Sequence, residues 1–345
     1  MFGSGRTSAL RQAQDRCARD KLVSRDGWWV LLIAAACCSS LAQAQAPFPR
    51  KPVRFVVTSP PGGANDTLNR ALGAKLTEFI GQPVVIDNRP GASGFVAAEI
   101  VAKAPADGYT VLAGTEATLV TNPLLFTKTP YDTQRDFAPV TMTASVSHVL
   151  LVHPSLAATS VQDLIAVAKA RPGQLNYASS GSGSAFHLGM ELFKRMAGVD
   201  IVHVPFKGSA LSVGAMLAGD VQMMLIGTAT GMPLARSGKA RALAVAGNKR
   251  SPAAPELPTI AEAGLPGYEI SSWFGAVVPK ATPPSVVAKL NADLVRALHS
   301  PDLRDRLAPS GYEIIANTPR QFSAHMQAQS TRLGGLIRDA GIKAE

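Results

Sequence analysis

Two short stretches hold most of the residues with chemistry to offer. The first is Pro60-Pro61-Gly62-Gly63-Ala64-Asn65-Asp66, and the second is Tyr177-Ala178-Ser179-Ser180-Gly181-Ser182-Gly183-Ser184. Glycines let the backbone turn where a side chain would not fit. A glycine turn between a strand end and a helix start exposes backbone N–H groups, and these can hold an anion. Ser180, Ser182 and Ser184 add hydroxyls to the second stretch. Buried charge is expensive unless matched, so neutral donors on a rigid frame offer a carboxylate a reversible grip. On this reading Pro61, Gly62, Gly63 and Ala64 form one anion-holding turn. Ser180, Gly181, Ser182, Gly183 and Ser184 form the other. Asp66 is better suited to bracing the first turn than to touching an anion.

Both stretches also have a plain reading as connecting turns, and the residues near them divide in the same way. His187 lies three residues past Ser184, as a hydrogen-bonded structural histidine or as a solute contact. Lys207, within Val204-Pro205-Phe206-Lys207-Gly208, faces either solvent or a cleft. Thr115 opens a helical stretch, and Thr228 and Thr230 follow a strand ending near Ile226, so all three can present hydroxyls to a cleft. Trp273 and Phe274 begin a later strand, as packing or as a stacking platform.

The same residues exclude several chemistries. The first turn lacks the lysine and hydroxyl of a nucleotide P-loop, and its glycines do not form GxGxxG, which argues against ATP and NAD. No HExxH or spaced His/Asp cluster offers a metal site, and no cofactor is expected. Gly181 to Ala185 reads G-S-G-S-A and fails the G-x-S-x-G elbow at its last position. An esterase needs a nucleophile with a base in reach, and His187 is the only local candidate. Solute binding without catalysis is therefore the favoured reading. Its rivals are an envelope esterase acting on small acids and a sensor or scaffold with the same cleft.

The elements that must position these residues follow an α/β alternation. Phe55 to Val57 is an apolar strand, and Leu68, Leu72, Leu76 and Ile80 recur at helical spacing behind the first turn. Pro83 to Asp87 and Tyr109 to Ala113 read as strands around a helix near Phe95 to Ala104, giving βαβαβ order and a parallel sheet. Thr115 to Leu125 is helical, Tyr131 to Pro139 polar and irregular, and Met142 to Val152 two short strand-like pieces around Ser147. The second half repeats the pattern. Helices are expected over 160–170, 187–196 and 209–218, and strands over 175–178, 201–204, 221–226 and 242–246. Pro255 to Gly267 is a turn-rich return, Ser272 to Val278 a strand passing back, and 286–298, 301–307 and 318–338 the closing helices. This places domain 1 at residues 47–145 and 268–345, and domain 2 at residues 146–267.

Composition agrees with two packed domains: 345 residues, 46% hydrophobic and 17% charged. Formal net charge is +10. Aromatics are sparse and no long basic run occurs, so nucleic acid is not an expected partner. Trp28 to Ala36 is an apolar run behind a basic segment, and Ala42-Gln43-Ala44 fits a signal-peptidase site, so residues 1–44 are expected to be a signal peptide. Cys17, Cys37 and Cys38 all precede that cut, which would leave a mature chain without cysteine.

The chain resembles the tripartite tricarboxylate transporter substrate-binding receptors, the Bug family. FPRKPVRFVVTSPPGGAND, VVIDNRPGASG, PADGYTVLAG, YDTQRDFAPVT, ARPGQLNYASSGSGSAFHLGMELFK, VHVPFKGSA, LPTIAEAGLPGYE and SSWFGAVVPK carry the resemblance through their order and spacing, from Phe48 to Glu345. It implies a type II periplasmic-binding fold, with two α/β domains whose central sheets flank a ligand cleft and close over the solute. It implies that Pro61 to Ala64 and Ser180 to Ser184 approach the solute from opposite domains. It also implies a small organic acid as ligand, an inner-membrane permease as partner, and a monomeric receptor in the periplasm. One departure stands out. Ile226 occupies the position where family members often carry an aspartate, which argues against an amino-acid solute.

Overall fold

Leu68, Leu72 and Leu76 are all buried along one face of the helix that follows the first strand, as their spacing requires. The computed structural model describes residues 48–342, so the signal-peptide reading of residues 1–44 and its cleavage site lie outside the described residues. In chain order the first unit comprises β1 (Val53–Val57), α1 (Ala64–Ile80), β2 (Val84–Asn88), α2 (Phe95–Ala102) and β3 (Thr110–Thr115). β1 lies between β2 and β3 and runs parallel to both, the βαβαβ order expected. After two short helical turns come β4 (Phe137–Val152), α3 (Val161–Ala170), β5 (Asn176–Ser179), α4 (Ala185–Ala197), β6 (Val202–Pro205) and α5 (Ser209–Ala218). Then follow β7 (Met223–Gly227), α6 (Thr228–Arg236), β8 (Arg241–Val245) and β9 (Ser271–Pro279). The chain closes with α7 (Pro284–Leu298), α8 (Pro301–Leu307), β10 (Tyr312–Ile314) and α9 (Pro319–Asp339).

The strands follow the order β2-β1-β3-β9-β4-β7-β5-β6, with β8 and β10 also paired to β4. β4 is the hub. From Phe137 to Ser147 it pairs with β9, and from His148 to Val152 with β7. β5 is parallel to β6 and β7, a second parallel unit like the first. One buried cluster runs through Val56, Leu112, Phe137, Trp273 and Phe322, and another gathers Val149, Met216, Met224 and Val245. Burying side chains of this size contributes about 1.5–3 kcal/mol each before entropy is counted.

Three readings of the sequence need correction. The stretch 131–139 is not irregular to its end, because β4 already begins at the buried Phe137. The two pieces around Ser147 are one 16-residue strand. Its pairing with β9 slips between Pro139 and Thr141 and again between Met142 and Ala144, and such bulges break the alternation that marks a strand. α6 was not expected, because it contains Gly231 and Pro233. Gly231 is there for close approach: a Cβ would lie 2.4 Å from Val149 Cγ1 on β4.

Candidate functional site

The first turn is braced from within. Asp66 is buried, and its Oδ2 accepts the Gly62 N–H at 2.8 Å. The same carboxylate accepts Arg70 Nε at 2.9 Å and Asn88 Nδ2 at 2.8 Å. Burial alone would push this carboxyl up, but Arg70, the Gly62 N–H and Asn88 together hold it below the usual carboxylate range. Asn65 donates to Thr58 Oγ1 and to the Ala113 carbonyl at 2.7 Å, tying the turn to β3. Tyr312 Oη donates to the Ala64 carbonyl at 2.7 Å. Gly63 N–H is spent on the Pro60 carbonyl at 3.2 Å. The Gly62 and Gly63 N–H groups are therefore structural. What the turn presents is the head of α1, which begins at Gly63 with no side-chain cap.

The second turn is held by an imidazole stack. Ser179 Oγ bonds both the N–H and the carbonyl of Gly181, at 3.2 and 3.1 Å, and lies 2.7 Å from His203 Nε2. Gly183 donates its N–H to His187 Nδ1 at 2.9 Å. The His187 and His203 rings lie 3.9 Å apart and 8° from parallel, and the Tyr177 ring stacks beside both, 4.8 Å from His203 and 6.4 Å from His187. Ser184 caps α4 by accepting the His187 N–H at 3.3 Å. Gly183 has φ +76°, and a Cβ there would lie 2.5 Å from Leu125 Cδ1.

Both turns open onto one cavity of about 780 Å³. Gly62, Ala64, Asn65 and Thr67 line it from the first turn, and Ser180, Ser184 and Ala185 from the second. Thr115 lines it from the end of β3, and Thr230 from α6. Strand residues Val146, His148, Ile226, Ser272, Trp273 and Phe274 form another wall. Among the described residues, no lysine or arginine lines this cavity. Trp273 serves as packing as well as wall, with its ring edge-on to Phe322 and His325.

Several expected contacts lie elsewhere. Pro61 is exposed, and neither it nor Gly63 lines the cavity. Asp66, Gly181, Gly183 and His187 shape the two turns from behind. Ser182 is half-buried outside the lining. Lys207 is exposed and away from the cavity, so solvent, the plainer alternative, is where it points. Thr228 is wholly buried against Gly311, whose Cβ would lie 2.4 Å from Thr228 Oγ1. Its hydroxyl belongs to that packing and Thr230 takes the wall position.

Two ionisable residues line the cavity without having been singled out in the sequence. Glu116 follows β3 and is 6% exposed, and its carboxylate accepts the Thr121 hydroxyl. Burial outweighs that bond and pushes the acid up to about 6. His148 lies on β4 and is 1% exposed, with Nε2 2.9 Å from Ser272 Oγ and its ring edge-on to Phe186 at 4.9 Å. Burial pushes it down to about 4, so the ring is neutral. Its Nδ1 is buried and has no hydrogen-bond partner. A lone acid inside Thr115-Glu116-Ala117-Thr118-Leu119-Val120 and a lone histidine inside Val146-Ser147-His148-Val149-Leu150-Leu151 were the available signals.

Comparison with known proteins follows the same lines. A family model described as the tripartite tricarboxylate transporter family receptor matches residues 68–342. The chain is 36% identical over 297 residues to the protein BugT of Bordetella pertussis, covering 86% of this chain and 91% of that one. Among solved structures it is similar to Rpa4515 of Rhodopseudomonas palustris with adipate, at 42% identity and a TM-score of 0.75, covering 86% of this chain and 99% of that chain. It is also similar to MatC of the same organism with bound malate, at 33% identity and a TM-score of 0.70, covering 84% and 100%.

Proposed function

The chain belongs to the tripartite tricarboxylate transporter receptors, the Bug family of periplasmic solute-binding proteins, and from that premise we propose that it captures a small organic acid for uptake. One observation carries the reading: two turns, one heading α1 and one heading α4, open onto a single cavity that, among the described residues, has no lysine or arginine in its lining. Backbone N–H groups at the head of α1 and the hydroxyls of Ser180 and Ser184 hold the carboxylate. The adipate of Rpa4515 and the malate of MatC support acids of this size. In this reading the solute is gripped as two domains, 47–145 with 268–345 and 146–267, close over it. The switch of β4 pairing between Ser147 and His148 supports that division. The closed form is what a membrane permease pair would recognise, and solute shifts the population towards it.

No catalytic step is needed. His187 Nδ1 is engaged by Gly183 N–H, and Ser179, beside His203, is wholly buried. Neither arrangement offers a substrate an activated hydroxyl. Among the described residues, no group of His, Cys, Asp and Glu is arranged to hold a metal ion, and no helix is long and apolar enough to cross a membrane.

A thermal-shift screen of mono-, di- and tricarboxylates tests the reading, since a ligand bound only by the folded state raises Tm by mass action. Acids that bind should shift the Tm, and Ser180→Ala with Ser184→Ala together should weaken them about tenfold or more. A panel in which no acid binds would overturn the proposal.

A further inference from the structure

Asp66 and Glu116 are both buried acids, and the protein treats them oppositely. Asp66 accepts the Gly62 N–H, Arg70 and Asn88, and these donors hold it ionised behind the first turn. Glu116 lines the cavity itself, and only its Oε1 is engaged, by the Thr121 hydroxyl. Its Oε2 has no hydrogen-bond partner among the described residues and, unlike His148 Nδ1, is not sealed off. The head of α1 lies beside this acid. Asn65, in the first turn of α1, donates to the Ala113 carbonyl on β3 at 2.7 Å, and Glu116 follows the last residue of β3. A solute carboxylate held at that helix head therefore shares one cavity with the Glu116 carboxyl.

Two carboxylates that share a water-poor site do not both stay ionised: one takes up a proton and a hydrogen bond then joins the pair. Glu116 is the acid prepared for this. Burial outweighs both the Thr121 bond and the pull of Arg332 on α9, so the acid is raised towards neutrality before any solute arrives. We propose that Glu116 is a solute-binding residue that works as a protonated acid: loading takes up one proton from the medium, and Glu116 donates it in a hydrogen bond to the bound carboxylate. The proposal rests on the carboxylate-receptor reading above. The two other ionisable side chains lining the cavity keep one state from about pH 6 to 8, since burial pushes His148 on β4 down to about 4 and the Tyr312 phenol on β10 up to about 12. On α9, burial lowers His325, which lies edge-on to Trp273. Burial raises Tyr131, bonded to the Thr118 carbonyl, and Glu99 on α2 pairs with Lys103. His187 and His203 stand behind the second turn.

Isothermal titration of the purified protein with butyrate, hexanoate, succinate and adipate tests it. Heats taken at about pH 7.5 in HEPES and in Tris, buffers of different ionisation enthalpy, count the protons bound with the acid. Acids that bind should take up about half a proton or more, and should bind about tenfold tighter at about pH 6 than at about pH 8, because the loaded form carries the extra proton. Glu116→Gln, a permanently uncharged donor and acceptor, should take up none, bind equally at both pH values and exceed wild type at the higher one. Wild type that takes up no proton overturns the proposal and leaves the receptor reading standing. So does uptake that persists in Glu116→Gln, which would place the proton on His187 or His203. 4-Aminobutyrate and 6-aminohexanoate bring a cation of their own. If either outbinds its amine-free relative at the higher pH and loses that advantage in Glu116→Gln, Glu116 is an ammonium acceptor and the proposal is overturned. Absence of binding by all four acids at the lower pH also overturns it, and receptor function falls with it only if the wider acid panel is silent too.

Discussion

Gly183 donates its backbone N–H to Nδ1 of His187 at 2.9 Å, and the imidazole that receives it lies flat on His203 at 3.9 Å. His203 in turn lies against Ser179 Oγ, which bonds both polar groups of Gly181. The second turn therefore takes its shape from an aromatic stack behind it. His187→Ala should leave the fold intact at a cost of about 1–2 kcal/mol and weaken acid binding at least about tenfold. His187→Asn, with an acceptor oxygen, should recover part of the affinity. Calorimetric titration beside a circular-dichroism melt reads both quantities, and unchanged affinity in His187→Ala would sink the positioning role.

Gly183 also makes a steric prediction. Its φ of +76° suits glycine, and an added Cβ would lie 2.5 Å from Leu125 Cδ1. Gly183→Ala should destabilise by about 1–3 kcal/mol, part backbone strain and part collision. Combining it with Leu125→Ala should relieve the collision and leave the strain, so the double variant should be more stable than the two single losses added. A double-mutant cycle with no coupling would show that Leu125 does not press on this turn.

Asp66 ties acid stability to the first turn. Its folded-state carboxyl is held below the ordinary value of 3.8, so the stability it contributes is present above 3.8 and is lost as pH falls through its folded value. Asp66→Asn should cost about 1–2 kcal/mol near neutrality, the lower part of the range for a charged acceptor because Arg70 is half-exposed. Denaturant melts along a pH series check the sign. The gap between wild type and variant should close in acid, and a gap that widens below 3.8 would contradict the network.

Glu116 works in the opposite direction. Its folded-state acid is raised from 4.5 to about 6. The ionised form therefore penalises the fold fully above about 6, and the penalty is relieved as pH falls from there towards 4.5. Glu116→Gln keeps an acceptor for Thr121 and removes the charge. It should be more stable than wild type by about 2 kcal/mol at pH 8, an advantage that vanishes in acid. A pH-independent difference in Tm would refute the assignment.

The parts of the site written in contiguous residues were legible in the sequence. Glycines next to a strand end and a helical leucine row announce the first turn without any tertiary information. Ser180 and Ser184 were legible for the same reason. The strand wall was not. His148 and Glu116 each sit singly among apolar or small residues, where the local pattern says only that the segment is buried. Their meeting in one cavity depends on β9 pairing with both β3 and β4, which no local window contains. Thr228 and Thr230 differ by two residues and by which side of α6 they occupy. Only the packing of Gly311 against Thr228 decides between them.

Apart from Glu116, the cavity is walled by amides, hydroxyls, apolar side chains and aromatic rings, which hold a cargo mainly through forces that act at contact. Such forces lie inside the distance at which dissolved ions interpose themselves. Added salt should therefore change the loading of this receptor far less than it would that of a site built on lysine or arginine pairs, acting only through Glu116 and the partial charges of the helix ends.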